Sequence, residues 1–299
     1  MMVPHFTDFP MAATTTSIAP IPTVIPGVPL VQELHDVGKR TLWVVTVLMG
    51  ISSLVFYSLG ARAPLTKRVF HTLSALITTI SFFSYLALAT GQGMAWKQSH
   101  VTERHKHVPN TEEDYLRQIL WLRYVNWALA TPLLLINLAL VSGLPGANLV
   151  VAIAGLWGML AAGLLGSFAG HTPARWAWLI LSCISYLVML HHGVFHAQRA
   201  ARNKDAQTRR FFTAISGSGF IILALFPISL AAGPLALKIS VDVETVLFAV
   251  QDIFTQGLLG YWLLLAHDSS PGITLHLDGF WSQGVGNEGA IRIPEEEGA

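Results

Sequence analysis

Seven apolar stretches, each near the about 20 residues that a helix needs to cross the hydrocarbon of a bilayer, fill the middle of this chain. They run over roughly 41–61, 69–93, 118–141, 147–168, 174–197, 210–232 and 243–266. A chain with this pattern has the lipid bilayer as its solvent and its first partner. Composition agrees, since 53% of the 299 residues are hydrophobic and only 12% are charged, whereas a soluble domain carries about 25% charged residues. The formal net charge of +1 gives no reason to invoke nucleic acid.

The breaks between stretches are mostly short and carry charge or turn chemistry: Arg62, Lys67 and Arg68; Gly143 to Gly146; Gly170 to Pro173; Arg199 to Arg210. Short links favour sequential antiparallel neighbours, which predicts an all-α, up-and-down membrane bundle. Only the connection over 94–117 is long, and it is mixed in charge. Lys and Arg crowd the first and fifth connections, on one side of the bundle, so the amino terminus is expected outside and the carboxyl terminus in the cytoplasm. Three units follow: a disordered amino-terminal tail over 1–38, a seven-helix membrane domain over 39–267, and an acidic, Gly-rich cytoplasmic tail over 268–299. Cys183 lies in an apolar run and reads as a buried structural thiol.

An ionisable side chain deep in a span costs on the order of 2.5–3.5 kcal/mol, so each one needs a partner or a purpose. Arg123 in the third span and Asp252 in the seventh are the two that stand out, and a buried pair between them would satisfy both charges. Arg123, Asn126 and Asn137 fall near one helical face at about 100° per residue, with the two asparagines roughly 16 Å apart along the axis. Read alone, they are interhelical hydrogen-bonding groups, with a transport path as the alternative. Asp252 and Gln256, four residues apart, share a face of the seventh helix. His191, His192 and His196 close the fifth span; without a further ligand they read as interface anchors and no metal is expected. Pro132 and Pro227 should bend the third and sixth helices. No nucleophile and base are paired in a way that suggests an enzyme.

Arg123-Tyr124-Val125-Asn126-Trp127, then Thr131-Pro132-Leu133-Leu134-Leu135, and Glu244-Thr245 leading to Asp252 and Gly260, carry a family resemblance. With seven spans in this order, the chain resembles the microbial rhodopsin superfamily, and within it the fungal opsin-related branch that includes heat-shock-induced plasma-membrane proteins. The resemblance implies a microbial rhodopsin-like fold and a polar network of Arg123, Asn126, Asn137, Glu244 and Asp252.

Retinal-binding members carry a lysine four residues after the seventh-helix aspartate, because an amine must condense with the aldehyde. That position is Gln256 here. An amide nitrogen is too weak a nucleophile, so no cofactor is expected and covalent retinal least of all. Proton-pumping members place carboxylates at the positions of Asn126 and Asn137, and an amide cannot exchange protons near neutral pH. Trp127 keeps the family identity, but the sixth-helix wall of the chromophore pocket falls on Leu223, Phe226 and Leu230, with two of three positions aliphatic. The resemblance implies a light-independent stress or regulatory protein of the plasma membrane, with a proton ATPase as a candidate partner and room for a homo-oligomer. A passive proton or ion path and a non-covalent sensor of retinal or another apolar ligand are the rival expectations.

Overall fold

A computed structural model describes residues 29–64, 68–103, 111–204 and 206–268. Seven helical spans form its body: α1 (Asp36–Arg62), α2 (Arg68–Ala89), α3 (Leu122–Ser142), α4 (Gly146–Phe168), α5 (Thr172–Ala201), α6 (Ala206–Leu235) and α7 (241–268). The first six are long and apolar enough to cross a membrane by length and composition. α7 carries Gln251, Asp252 and Gln256 mid-span, and all three are buried, so its polarity is turned inward and away from lipid. Leu54, Phe83, Ile221 and Leu265 project outward instead, where hydrocarbon is the solvent that accepts them.

Consecutive helices pack side by side, and α1 returns against α7 to close the ring. That closure has a specific lock. Asp242, in the first turn of α7, accepts hydrogen bonds from the backbone N–H of His35 (3.0 Å) and Gly38 (2.9 Å). It thereby satisfies amides that the start of α1 leaves open. A Cβ at Gly38 would lie 2.4 Å from the same Asp242 oxygen, so this approach needs glycine.

Pro132 lies inside α3 and supplies no N–H to the carbonyl of Ala128. The Trp157 indole of α4 fills that gap, donating to Ala128 O at 3.0 Å. Single π-helical turns interrupt α5 at His191–Phe195, α6 at Ala231–Leu235 and α7 at Ile253–Leu258. The last of these holds Gln256.

The sequence reading needs three corrections here. The connection over 94–117 contains an antiparallel hairpin, β2 (Ala95–Glu103) with β3 (Thr111–Ile119), and β1 (Leu30–Gln32) adds to β3 in parallel. The fold is therefore mostly helical with a three-stranded sheet, ordered β1-β3-β2, at the end of the bundle where α1 begins. The third span starts at Leu122, because residues 118 and 119 finish β3. The expected tail over 1–38 is ordered from Leu30 onward, where β1 and the first turn of α1 form. Residues 1–28 and the tail over 269–299 lie outside the described residues.

Candidate functional site

The interior between α3 and α7 holds its polar groups in layers that descend from the hairpin. In the uppermost layer, Glu244 lies one turn into α7, where a carboxylate suits the positive end of the helix. Its Oε2 receives Arg117 Nη2 of β3 at 2.5 Å and its Oε1 receives Arg123 Nη1 of α3 at 3.0 Å. Arg117 also donates to the Ile239 carbonyl at 2.8 Å and to Gln32 of β1. Arg123 donates to Thr245 Oγ1 at 3.3 Å and lies over the Phe248 ring, 4.1 Å from its centroid. Both guanidinium groups are buried and share this one carboxylate.

Asp252 forms the next layer, two turns farther along α7, with no exposed surface. One of its oxygens accepts from Tyr85 of α2, the other from the Trp127 indole of α3 and from Gln256 Nε2 at 3.3 Å. Below it the Gln256 carbonyl accepts from Ser81 of α2 and from Asn126 Nδ2 at 3.3 Å. The Gln256 amide thus bridges the Asp252 layer to Asn126. Asn137 stands apart, buried, with its Oδ1 unpartnered.

The expected Arg123–Asp252 ion pair is replaced by the Arg117–Glu244–Arg123 triad. Eight residues separate Glu244 from Asp252, about 12 Å along a helix, and Arg123 extends toward the nearer carboxylate past Phe248. Asp252 takes neutral donors instead. Arg117, Tyr85 and Ser81 escaped the sequence reading. Ser74, Thr78, Ser81 and Tyr85 form a buried polar stripe at helical spacing on α2, a legible signal for two of them. Arg117 lies on β3, in a stretch whose mixed charge predicts a connecting loop.

Leu223, Phe226 and Leu230 are buried on α6, as is Trp127 on α3. Phe226 packs on Trp127 at 5.4 Å between centroids, on Phe248 at 5.9 Å and on Tyr124 at 6.0 Å. A Cβ at Gly163 would come within 2.9 Å of the Phe226 ring, so α4 yields space to that ring. These residues do not fit a covalently attached retinal. The amide at 256 is held in hydrogen bonds on both its nitrogen and its oxygen. Among the described residues no lysine enters the interior: Lys39 and Lys238 are exposed, and Lys97 and Lys204 lie outside the spans. On the hairpin, burial first and the Arg175 guanidinium second hold the Lys97 ammonium below the ordinary lysine range.

The three histidines of α5 pack on one another, with centroid distances of 4.7 to 5.1 Å. His192 Nδ1 lies 3.0 Å from Asn148 Oδ1 and His196 Nδ1 lies 3.0 Å from the His191 carbonyl. They tie α5 to α4 and to its own π-turn.

The model of the bacteriorhodopsin-like proteins matches residues 38–270. The chain belongs to that family. Among its relatives, Opsin-1 of Neurospora crassa is 37% identical over 292 residues, 96% of either chain. The opsin-like protein carO of Fusarium fujikuroi is 28% identical over 231 residues, 77% of this chain and 73% of that one. The crystal structure of a light-driven proton pump from Leptosphaeria maculans superposes with a TM-score of 0.77 and 38% identity, covering 80% of this chain and 98% of the pump. The spans, their order and the interior helix pairings are thus a rhodopsin-like fold in a multi-pass membrane protein.

Proposed function

We propose that this rhodopsin-family chain works without covalent retinal and without light, as a non-catalytic regulatory or stress protein of the plasma membrane. It acts through contacts with other membrane proteins, a proton ATPase being one candidate, or through the lipid around it. One observation carries the proposal: at the position where a pigment needs an amine, the Gln256 amide is bound by Ser81, Asn126 and Asp252. Asn126 and Asn137 add to it, since neither takes up and releases protons near neutral pH. In this reading the hairpin end faces outward and the carboxyl tail the cytoplasm.

The experiment that tests it is reconstitution of the purified protein with all-trans retinal, followed by borohydride and mass measurement of the intact chain. No red-shifted visible band and no trapped adduct are expected. An adduct on the wild-type chain overturns the proposal. Gln256→Lys alone should yield at most a weak pigment, because Leu223 and Leu230 leave the sixth-helix wall aliphatic.

A second reading, a passive proton or ion path, draws support from the run of polar contacts from Glu244 to Asn126. Against it, among the described residues no Asp or Glu lies on the spans beyond Asp252 until Asp268 ends α7. Liposomes carrying the protein should leak protons no faster than empty ones in light or darkness. A leak abolished by Asp252→Asn would put the conducting path in place of the contact role.

A further inference from the structure

At the end of the bundle opposite the hairpin, a cleft of about 190 Å³ opens between the last turns of α1 and the first turns of α2. Phe56, Gly60 and His71 are buried at its back, and Tyr57, Ala61, Arg68 and Thr72 stand at its mouth. Small residues create the space: the Gly60 Cα lies where a Cβ would come within 3.2 Å of His71 Cβ. Arg68 spends one nitrogen on its own turn, Nη2 donating to the Ala63 carbonyl at 3.2 Å, while its Nε is buried and has no partner. Neither Arg68 nor neighbouring Arg62 has an ion pair among the described residues.

A half-buried guanidinium without an ion pair among the described residues, at the mouth of a largely apolar slot where the spans end, matches an amphiphile whose phosphate lies at that depth. We propose that this cleft binds one phospholipid of anionic headgroup, its phosphate on Arg68 and the start of an acyl chain along Phe56 and Ala61. The apolar lining of Phe56, Gly60 and Ala61 selects a lipid over free phosphate, and the Arg68 charge selects an anionic over a zwitterionic headgroup. The two selections rest on different residues and can be removed separately.

Native mass spectrometry of the full chain in detergent, with phosphatidylserine, phosphatidylcholine or inorganic phosphate added, tests this. One phosphatidylserine per chain is expected to stay bound, with phosphatidylcholine retained about fivefold less, the factor that one basic side chain near an anionic surface is worth. Arg68→Gln should erase that preference. Ala61→Leu, which fills the slot and leaves every charge, should lower retention of both lipids; because Ala61 is exposed, this variant keeps its fold if Arg68→Gln does not. Equal retention of the two lipids by the wild-type chain, retention unchanged in both variants, or displacement of phosphatidylserine by millimolar inorganic phosphate would each overturn the assignment.

Discussion

The half of the interior beneath the hairpin and the half beyond Gln256 are built from the same helices but by opposite rules. Beneath the hairpin, two arginines and two carboxylates are buried, and each has named partners on other elements. Beyond Gln256, the third-helix polar group is Asn137, neutral and with an unpartnered oxygen, among Leu134, Leu135 and Leu138. Burying charge is tolerated only when partners are fixed. The upper half is therefore a network of charged groups whose members depend on one another, and the lower half is largely apolar packing with neutral polar side chains such as Ser74, Thr78 and Asn137 set into it. For a protein proposed to act without proton transfer, the difference teaches that the upper network persists as architecture. It joins the sheet, α3 and α7.

The largest effect should come from the carboxylate that two guanidinium groups share. Glu244→Gln leaves Arg117 and Arg123 buried without a counter-charge, and should cost on the order of 3–5 kcal/mol in denaturant unfolding of the purified protein. A loss under about 1 kcal/mol would show that the two arginines find other acceptors and that the halves differ less than their geometry says. A double-mutant cycle sharpens the point: Arg123 should couple to Glu244 more strongly than to Asp252, since contact carries coupling. The reverse order would restore the ion pair that the sequence pattern suggests.

That reversal marks where the sequence was legible and where it was not. Apolar runs of span length locate all seven helices because the bilayer allows few alternatives, and the motifs Arg123–Trp127 and Thr131–Leu135, with the spacing of Glu244, Asp252 and Gly260, carry the family resemblance. The meaning of position 256 comes from the family resemblance, which counts four residues on from Asp252. Pairing is another matter, because which carboxylate Arg123 meets depends on the direction its side chain takes from α3. Arg117 depends on a strand register, Lys97 opposite Arg117, that only sheet formation sets. The hairpin itself was obscured by charge: Glu112, Glu113 and Asp114 read as a solvated loop, although charged residues are ordinary on strands that stand outside the lipid.

A middle-sized effect is expected one layer down. Tyr85→Phe removes one neutral donor from Asp252 and Trp127→Phe removes another, leaving a buried acceptor short by a hydrogen bond at about 1–3 kcal/mol each. Because both donors serve one carboxyl group, the double variant should depart from additivity. Additive losses in thermal unfolding would mean that Asp252 is not the shared acceptor and that this layer is packing like the half below.

The smallest effect should fall on Asn137, and its sign is the informative part. Removing one partner of a satisfied buried pair leaves the other exposed to the full desolvation cost, whereas removing a group whose oxygen is already unpaired relieves a cost. Leucine is near asparagine in reach, and Leu134, Leu135 and Leu138 already surround that part of α3. Asn137→Leu should therefore change unfolding stability by no more than about 1 kcal/mol, with gain the expected direction. Asn126→Leu is the matched control in the other half: it deletes the donor to the Gln256 carbonyl and should destabilise, by about 1–3 kcal/mol. If Asn137→Leu costs as much as Asn126→Leu, the lower half holds a polar partner for Asn137, and the contrast between the halves fails. If Asn137→Leu stabilises while Asn126→Leu does not, the two asparagines have different jobs despite sharing a helix face.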